Sequence, residues 1–357
     1  MGKTRPARGA TLNGASSRFN LPAIEADGDW LDARDLVDGA APPLRTTVTV
    51  ERPRTIISRN ASPDVPFDRS INPYRGCEHG CIYCFARPSH AFHDLSPGLD
   101  FESRLFAKPG AATLLRQELA RPRYVCRPMA LGTNTDPYQP IEADWRITRE
   151  LIEVLAETNH PLTITTKSDR VCRDLDLLGP MAAGKLAAVC VSITSLDPRI
   201  AMTLEPRAPT PARRLAAVER LAAAGVPVYV SIAPVIPAIT DGEMEHILER
   251  AAAAGAKAAF FIPVRLPHEV APLFRAWLDV HFPDRAGKVM ATIRSLRGGR
   301  RDNDPDFFAR MKGSGPWADL LGTRFRLACR RLGLNADRIT LRTDLFRPPA
   351  GPQGELF

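Results

Sequence analysis

Three cysteines crowd into eight residues of this 357-residue chain. The segment that holds them reads Asn72-Pro73-Tyr74-Arg75-Gly76-Cys77-Glu78-His79-Gly80-Cys81-Ile82-Tyr83-Cys84. Thiolates are soft ligands that suit zinc or iron–sulfur centres. Structural zinc sites usually close four ligands around one ion, whereas three cysteines bind three irons of a cubane cluster and leave the fourth iron open. The spacing Cys-x3-Cys-x2-Cys therefore favours an open, catalytic iron–sulfur centre on Cys77, Cys81 and Cys84.

The elements that must position these cysteines follow an alternating pattern. Apolar stretches of strand length recur near 70–74, 128–133, 162–167, 187–194, 227–233 and 258–264. Helical patterns lie between them: one follows Asp144, a second runs from Thr210 to Gly225, and a third opens with a capping box from Thr240 to Glu243. Six strands that alternate with helices predict an α/β fold with a parallel sheet flanked by helices. The spacing alone does not distinguish an open doubly wound sheet from a partial barrel.

Composition divides the chain into four parts. We predict a weakly structured N-terminal arm at 1–68, a core at 69–283, a basic C-terminal extension at 284–347 and a flexible tail at 348–357. The net charge is 48 − 40 = +8, and residues 285–357 alone carry 15 basic and 7 acidic residues, so they hold the whole excess. A basic terminal quarter indicates a docking surface for nucleic-acid phosphates at 285–347. The alternative is that these arginines only keep an appendage in solution.

The sequence pattern argues against membrane and secreted classes. No apolar run approaches the ~18 residues of a membrane span. Lys3 and Arg5 are not followed by the apolar core of a signal peptide. We therefore expect a cytoplasmic protein without a membrane partner, in which crowded cysteines indicate a metal centre rather than disulfides.

The cysteine motif, with Tyr83 just before the third cysteine, resembles the hallmark Cys-x3-Cys-x-aromatic-Cys of the radical S-adenosylmethionine (SAM) enzymes. This resemblance implies a partial (β/α)6 barrel of the radical SAM type, with a [4Fe–4S] cluster on the loop after the first strand. In that family SAM binds the open iron, and electron transfer cleaves it to methionine and a 5′-deoxyadenosyl radical that abstracts hydrogen from a substrate. A reductant such as flavodoxin or ferredoxin is implied as a partner.

The strand ends supply further candidates, because chemistry in a parallel barrel gathers at the C-terminal ends of the strands. The resemblance implies that the second strand end, with Gly132, Thr133 and Asp136, meets the methionyl amine of SAM. The other implied SAM contacts are Lys167 for the carboxylate, Ser192 or Thr194 for the ribose, and the polar residues Tyr83, Glu205 and Arg207. For each strand-end residue, an ordinary capping or turn role is the alternative.

A narrower resemblance comes from Asn-Pro-Tyr-Arg-Gly-Cys at 72–77 and Thr-Asp-Pro-Tyr-Gln-Pro at 135–140. These stretches resemble the spore-photoproduct-lyase-like group, and most closely an uncharacterised bacterial branch of it, over residues 55–347. The lyase repairs a thymine dimer in DNA and keeps a hydrogen-donor cysteine at the end of its second strand. The matching stretch 130–136 has no cysteine, and Cys126 lies at the other end of that strand, ~16 Å away when extended. We therefore do not transfer the lyase reaction, and leave Cys126 and Tyr138 open as donors.

Three functions remain open from the sequence. The first is a radical SAM enzyme that repairs or modifies nucleic acid, and the second is one that acts on a protein or a small molecule. The third is a non-catalytic iron–sulfur or zinc module, in which His79, His90 or His93 completes a zinc knuckle. That knuckle explains neither Tyr83 nor the αβ pattern. Cys190, within Val189-Cys190-Val191, is interpreted as a small buried apolar residue.

The last five residues suggest a partner. They read Gln-x-x-Leu-Phe and resemble the short peptide by which bacterial DNA-processing proteins dock on the replicative sliding clamp. Leu356 and Phe357 would enter a groove while the Gln353 amide forms hydrogen bonds. Gly354 stands where leucine is usual, which removes one apolar contact. Packing of Leu356 and Phe357 on the protein's own core, or a chance match, are the alternatives.

Overall fold

The structure is a computed structural model that describes residues 8–14, 16, 18–19 and 44–349. The ten strands in the described residues are β1 (Thr47–Val50), β2 (Ser58–Arg59), β3 (Arg69–Ile71), β4 (Tyr74–Arg75), β5 (Arg104–Ala107), β6 (Met129–Leu131), β7 (Leu162–Thr166), β8 (Ala187–Ser192), β9 (Val228–Val235) and β10 (Ala258–Pro263). The α-helices are α1 (Asp100–Ser103), α2 (Ala111–Leu119), α3 (Glu142–Trp145), α4 (Ile147–Glu157), α5 (Leu175–Ala183), α6 (Pro198–Leu204), α7 (Pro211–Ala223), α8 (Met244–Ala253), α9 (Val270–His281), α10 (Pro283–Ser295) and α11 (Pro316–Leu332). Short 3-10 helices span Arg87–His93, Asp169–Asp174 and Asp241–Glu243.

The main sheet has seven strands in the order β10-β9-β8-β7-β6-β3-β2. The six strands from β3 to β10 in this sheet are mutually parallel, and β2 pairs antiparallel with β3 at one edge. They coincide with the six predicted apolar stretches, so the predicted α/β architecture is confirmed. Among the described residues β10 and β2 do not pair with each other, which leaves the sheet open on one side.

Burial explains why these strands read as continuous apolar runs. Every residue of β8 is buried, as expected for a parallel strand covered by helices on one face and by the barrel interior on the other. The largest group of buried side chains joins the strands to helices α4, α7 and α8. Side chains such as Leu151, Val218 and Ile247 from these helices are completely buried. The helical periodicity of the sequence therefore marks the faces that cover the sheet.

The capping box predicted from Thr240 to Glu243 does not form its hydrogen bonds. The Thr240 hydroxyl accepts from the Ile236 amide at 2.9 Å and makes no capping hydrogen bond, and the α-helix begins only at Met244. The Glu243 carboxylate instead accepts from the Leu196 amide at 2.6 Å, just before α6. Glu243 thus links the loop after β8 to the loop after β9. Its carboxylate accepts hydrogen bonds from backbone amides that would otherwise lack an acceptor.

A second, three-stranded sheet in the order β1-β5-β4 stands beside the first strand of the barrel. β4 contains Tyr74 and Arg75 of the cysteine segment, and it pairs antiparallel with β5. The described stretches of the predicted N-terminal arm contribute here: β1 pairs parallel with β5, and Arg8 donates to the Glu102 carbonyl at 2.6 Å. The small sheet thereby supports the loop that carries the cysteines.

The end of the predicted C-terminal extension crosses the N-terminal ends of the barrel strands. Its amides donate to carbonyls that shortly precede three strands: Asn335 to Lys257 at 3.0 Å, Arg342 to Lys185 at 2.9 Å, and Arg347 to Thr158 at 2.9 Å. Phe346 packs edge-on against His160, with ring centroids 5.3 Å apart. Residues 335–347 therefore lie on the face opposite the cysteine loop. Within the described residues, no helix is both long and apolar enough to cross a membrane.

We predict that His160 makes stability depend on pH. Its Nε2 lies 2.8 Å from the Tyr124 hydroxyl and its Nδ1 lies 3.0 Å from the Pro161 carbonyl, and burial lowers its pKa to about 4. Since an unfolded histidine titrates near pH ~6.5, only the unfolded state binds the proton between these values, and stability falls as pH decreases. The free energy of unfolding in urea should lose about 2 kcal/mol from this group between pH 7 and 5.

The His160→Gln variant should show a flatter pH dependence by about that amount. His246→Gln is the control, because His246 lies exposed on α8. An unchanged slope in His160→Gln would contradict the assignment.

Candidate active site

The cysteine loop leaves the C-terminal end of β3 and turns twice at glycines with positive φ. Gly76 has φ 71° and Gly80 has φ 67°. A Cβ on Gly76 would lie 2.6 Å from the Leu105 side chain and 2.8 Å from the Phe101 carbonyl, so any other residue would force the loop away from β5. The tight path places three free thiols on one loop: Cys77 and Cys81 are buried and Cys84 is half-buried.

The Arg87 guanidinium holds this loop from below. It donates to the Cys81 carbonyl at 2.8 Å and to the Gly80 carbonyl at 3.0 Å. It also donates to the Pro97 and Gly98 carbonyls at 3.0 and 2.9 Å. Arg87 is completely buried, so these bonds replace the water that its charge would otherwise need.

Glu102 balances the charge of Arg87 and anchors the start of the chain. Its carboxylate accepts from Arg87 at 2.6 Å and from the Gly9 and Ala10 amides at 3.0 and 2.8 Å. A Cβ on Gly9 would lie 1.9 Å from the Gly80 carbonyl oxygen, which shows how closely this segment covers the cysteine loop. Residues 8–10 are therefore part of the wall around the site.

Gln139 connects the cysteine loop to the segment after β6. The Glu78 amide donates to its Oε1 at 2.9 Å, and its Nε2 donates to the Gly76 carbonyl at 3.2 Å. The side chain is completely buried. One amide group thus satisfies a donor and an acceptor of the loop and fixes the distance between the first two strand ends.

Asp136 joins the ends of β6 and β7. It accepts from the Lys167 amide and the Thr166 hydroxyl, both at 2.7 Å, and its Oδ2 lies 3.3 Å from His79 Nδ1. Burial opposes ionisation of this carboxyl, but the neighbouring His79 and the hydrogen bonds outweigh it and lower the pKa to about 2. Asp136 is therefore an ionised anchor between strand ends. Gly132, which precedes it, approaches Thr165 so closely that a Cβ would lie 2.1 Å from its carbonyl oxygen.

Tyr83 and Thr194 meet at the buried carboxylate of Glu205. The Tyr83 hydroxyl donates to Glu205, and the Thr194 hydroxyl donates to the same oxygen at 2.8 Å. The other oxygen pairs with the Arg214 guanidinium. Burial raises the pKa of Glu205, but Arg214 and Lys167 outweigh it, so the pKa is lowered. Burial and Glu205 hold the pKa of Tyr83 well above its usual range, so its hydroxyl keeps the proton that it donates.

Lys167 stands above the Tyr83 ring, with its Nζ 5.8 Å from the ring centroid. Burial works against its charge, but Cys81, Glu205 and Asp136 together raise its pKa. Burial raises the pKa of Cys81 to about 12, and Lys167 partly opposes this shift. The end of β7 therefore presents a cation towards the cysteine loop.

The remaining candidates lie around the same strand ends. Ser192 is buried at the end of β8, and its carbonyl accepts from Arg214 at 3.1 Å. Thr133 accepts from the Asn72 amide group at 3.4 Å. Arg207 pairs with Glu78 of the cysteine loop at 3.1 Å. The sequence thus identified a connected group of side chains, but it missed Arg214, Gln139 and Arg87. The partners of Gln139 lie 61 and 63 residues away in the chain, and those of Arg87 and Arg214 are nearer but follow no helical or strand spacing.

Cys190 is buried, as the sequence indicated, but its thiol lies near polar side chains of the site. It lies opposite Thr165 in the parallel register and shares its strand face with Ser192. Burial raises its pKa to about 12, opposed by Lys167 and by a hydrogen bond with Thr165. Alternation along β8 was the signal that could have placed this thiol on the same face as Ser192.

The zinc-knuckle histidines have other contacts. His90 Nε2 lies 2.9 Å from the Arg104 carbonyl, His79 faces Asp136, and the His93 ring lies 4.9 Å from that of Phe106. In the part of the chain that the structure describes, no three His, Cys, Asp or Glu side chains converge to hold a single metal ion. The chemistry of the donor set, three free thiols on one glycine-shaped loop beside a lysine, fits a cluster that needs three thiolates.

Six parallel strands with an open side, and three thiols on the loop after the first of them, define a radical SAM architecture. The model of the Radical SAM superfamily matches residues 71–251, just over half of the chain. The chain belongs to this superfamily, and it is therefore an enzyme of the radical SAM class.

The chain is also similar to other proteins in sequence and in structure. An uncharacterized protein of Mycobacterium tuberculosis is 40% identical over 232 residues, which cover 64% of this chain and 68% of that protein. An uncharacterized protein of Methanocaldococcus jannaschii is 27% identical over 176 residues, or 48% of this chain and 62% of the relative. A mutant of spore photoproduct lyase superposes with a TM-score of 0.52 at 17% identity, covering 81% of each chain. At that identity the similarity establishes the fold.

We predict that removing the buried cation Arg214 destabilises the protein more than removing its exposed neighbour. Arg214→Met leaves the Glu205 carboxylate buried without its ion-pair partner, which should cost about 3–5 kcal/mol in the free energy of unfolding. The double variant Arg214→Met/Glu205→Leu should lose less than Arg214→Met alone, because no unpaired charge remains.

Denaturant unfolding of the apoprotein measures these differences. Arg213→Met is the matched control, since Arg213 lies largely exposed on the same helix and should change stability by less than about 1 kcal/mol. Equal losses in the two single variants would show that the buried pair does not hold the site together.

Proposed function

We propose that Cys77, Cys81 and Cys84 bind a [4Fe–4S] cluster and that the enzyme uses it to cleave SAM, with nucleic acid as the substrate class. The observation that carries the proposal is the loop of three free thiols placed directly beside Lys167 and the buried Tyr83–Glu205 pair. When bound, the cluster supplies an electron that cleaves SAM to methionine and a hydrogen-abstracting 5′-deoxyadenosyl radical.

Different residues at the strand ends would bind different groups of SAM. Lys167 offers a positive charge for the SAM carboxylate, and the loop from Gly132 to Thr133 offers backbone groups for the amine. Thr194 already donates its proton to Glu205, so we assign the ribose contact to Ser192. Glu205 and Asp136 stay ionised through their own partners and hold the loop and the strand ends in place.

Two observations support nucleic acid as the substrate class. The excess positive charge lies in residues 285–357, and the fold is similar to that of spore photoproduct lyase, one structure of which is complexed with a dinucleoside spore photoproduct. A protein or small-molecule substrate is the second candidate, favoured by residues 335–347 lying on the face opposite the cysteines.

The lyase reaction itself is not part of the proposal. The segment after β6 has no cysteine, and Cys126 precedes β6 at its N-terminal end. Tyr138 is completely buried and its hydroxyl donates to Asp174 at 2.9 Å. Burial and Asp174 raise the pKa of Tyr138 well above its usual range, so this hydroxyl is held in place as a structural donor.

The reductant, a flavodoxin or ferredoxin, has a suitable approach beside the cysteine loop. A polar opening of about 180 Å³ there is lined by His79, Asp169 and the arginines Arg170, Arg207 and Arg213. Arg213 pairs with Asp169 and Arg207 with Glu78, so Arg170 supplies the excess positive charge. Positive charge at the mouth of a cleft steers acidic proteins towards it. We propose that the electron enters from this side.

We predict that anaerobically reconstituted protein absorbs broadly at about 400 nm and releases 5′-deoxyadenosine from SAM under dithionite. Changing Cys77, Cys81 or Cys84 singly to Ala should abolish that release, because each thiolate binds one iron. Cys126→Ala is the matched control and should retain both the absorbance and the cleavage. Stoichiometric zinc without iron in anaerobically purified protein would refute the proposal.

We further propose that Gln353, Leu356 and Phe357, which lie outside the described residues, bind the DNA sliding clamp. A labelled peptide of residues 348–357 should bind purified clamp in fluorescence anisotropy with a dissociation constant below about 1 mM, or about −4 kcal/mol. Changing Leu356 and Phe357 to Ala should remove that binding, because these two side chains supply the apolar contact. Weaker binding, or equal binding of the Ala peptide, would exclude the interaction.

A further inference from the structure

The open side of the barrel is bridged by the first part of the C-terminal extension. The Arg310 guanidinium pairs with Asp64, with Nη2 and Oδ1 2.6 Å apart. Asp64 lies in the loop between β2 and β3, at one edge of the sheet, whereas Arg265 follows β10 at the other edge. Arg265 also contacts Met311 at 3.3 Å through its Nη1. Residues 296–315 therefore lie across the opening. Arg297 donates to the Val264 carbonyl at 3.1 Å, which holds them at the C-terminal end of β10, the end of the strands at which the cysteine loop lies.

Positive charge at this opening exceeds the negative charge that faces it. Burial, together with the nearby charges of Arg310 and Arg297, lowers the pKa of Arg265 to about 10. The facing carboxylates are Asp64, which Arg310 already occupies, and Asp304, which acts on Arg297. Arg297 is buried, and its Nη atoms donate to backbone carbonyls. Among the described residues, neither its Nε nor the buried Nε of Arg265 has a hydrogen-bond partner. Such donors suit an anionic ligand.

Exposed phenylalanine rings line the same opening. Phe85 directly follows Cys84 and is 54% exposed, and the Arg265 guanidinium lies 6.0 Å from its ring centroid. Phe307 is 44% exposed beneath Arg310, whose guanidinium lies 4.6 Å from the ring centroid. Phe308, the next residue, is 74% exposed. Large apolar side chains that are exposed side by side mark a binding surface more often than an ordinary solvated one.

We propose that Phe85, Arg265, Phe307 and Arg310 form a mouth surface that binds an unpaired nucleic-acid strand, with a phosphate on Arg265 and bases stacked on the phenylalanine rings. The inference rests on nucleic acid being the substrate class of the proposed function. Alternating guanidinium groups and exposed rings are the combination that binds single strands, since every base offers a flat face to an aromatic side chain.

The position of Phe85 explains why an unpaired strand fits better than a duplex. A base must leave its stack before an enzyme can do chemistry on an atom inside a duplex. A ring one residue from Cys84 stacks such a base immediately beside the cysteine loop. The basic residues within 335–347 lie at the other end of the barrel and are not part of the mouth surface.

Fluorescence anisotropy with the full-length, anaerobically reconstituted protein tests the surface. The probes are a labelled 20-nucleotide oligothymidylate, a duplex of the same length, and unlabelled thymidine monophosphate as competitor, each measured over a series of salt concentrations. Arg265→Gln should reduce the slope of log affinity against log salt by about 0.7, the value for one phosphate contact on a single strand. Phe85→Leu should weaken binding by about tenfold at every salt concentration without changing the slope.

Two matched controls are available. Arg330 is an exposed arginine of the same basic region on α11, and Arg330→Gln should leave affinity and slope unchanged. Phe92 is 69% exposed on the 3-10 helix after the cysteine loop, where it packs on Phe19, and Phe92→Leu should also have no effect. Visible absorbance of each variant checks that the cluster is intact. If Phe85→Leu loses the cluster, the salt slope of Arg265→Gln alone tests the mouth surface.

The outcomes separate the mouth surface from the proposed function. If the wild type binds neither strand nor duplex, nucleic acid is not the substrate class and both fail. If it binds the strand but Arg265→Gln and Phe85→Leu behave like the controls, the mouth surface is wrong and the proposed function stands. Tighter binding of the duplex, or competition by the mononucleotide at equal concentration, would also overturn the inference.

Discussion

The Glu205 carboxylate and the Arg214 guanidinium meet behind the cysteine loop, and both side chains are excluded from solvent. Removing an ion from water costs several kcal/mol, so such charges persist only where each is paired and hydrogen-bonded. Glu205 meets this condition by accepting from Tyr83 of the cysteine loop and from Thr194 after β8, while Arg214 belongs to α7. One buried pair therefore fixes a loop, a strand end and a helix relative to one another. Arg87 and Glu102 form a second buried ion pair beneath the loop.

This arrangement of charge also prepares the site for thiolates. Burial alone favours protonated thiols at Cys77 and Cys81, and a thiolate becomes stable there only with nearby cations or iron. Lys167 lies beside the loop at the end of β7 and opposes the effect of burial on Cys81, whereas Glu102 balances the charge of Arg87 beneath the loop. The C-terminal extension has two structural parts: residues 335–347 cross the N-terminal ends of the strands, and residues 296–315 lie at the open side near the cysteines.

Much of the fold and the centre of the site could be predicted from local sequence patterns. The strands that are buried on both faces appear as short apolar runs, and the three cysteines are recognisable from their spacing alone. Several contacts that hold the site were not predictable, because they join residues far apart in the chain: Gln139 with Glu78, 61 residues away, and Glu102 with Gly9, 93 residues away. Glu243 shows the same limit, since it binds the Leu196 amide, 47 residues away, and not the Thr240 amide that the capping-box spacing indicated.

We propose that the three cysteines leave one iron of the cluster open for SAM. Mössbauer spectroscopy of protein reconstituted with iron-57 measures this most directly, because it separates an iron with a new ligand from its neighbours. On addition of SAM, we expect about a quarter of the iron absorption to move to a distinct component while the rest remains unchanged, as one open iron of four requires. A spectrum that SAM does not alter, or one with four equivalent irons throughout, would contradict the account.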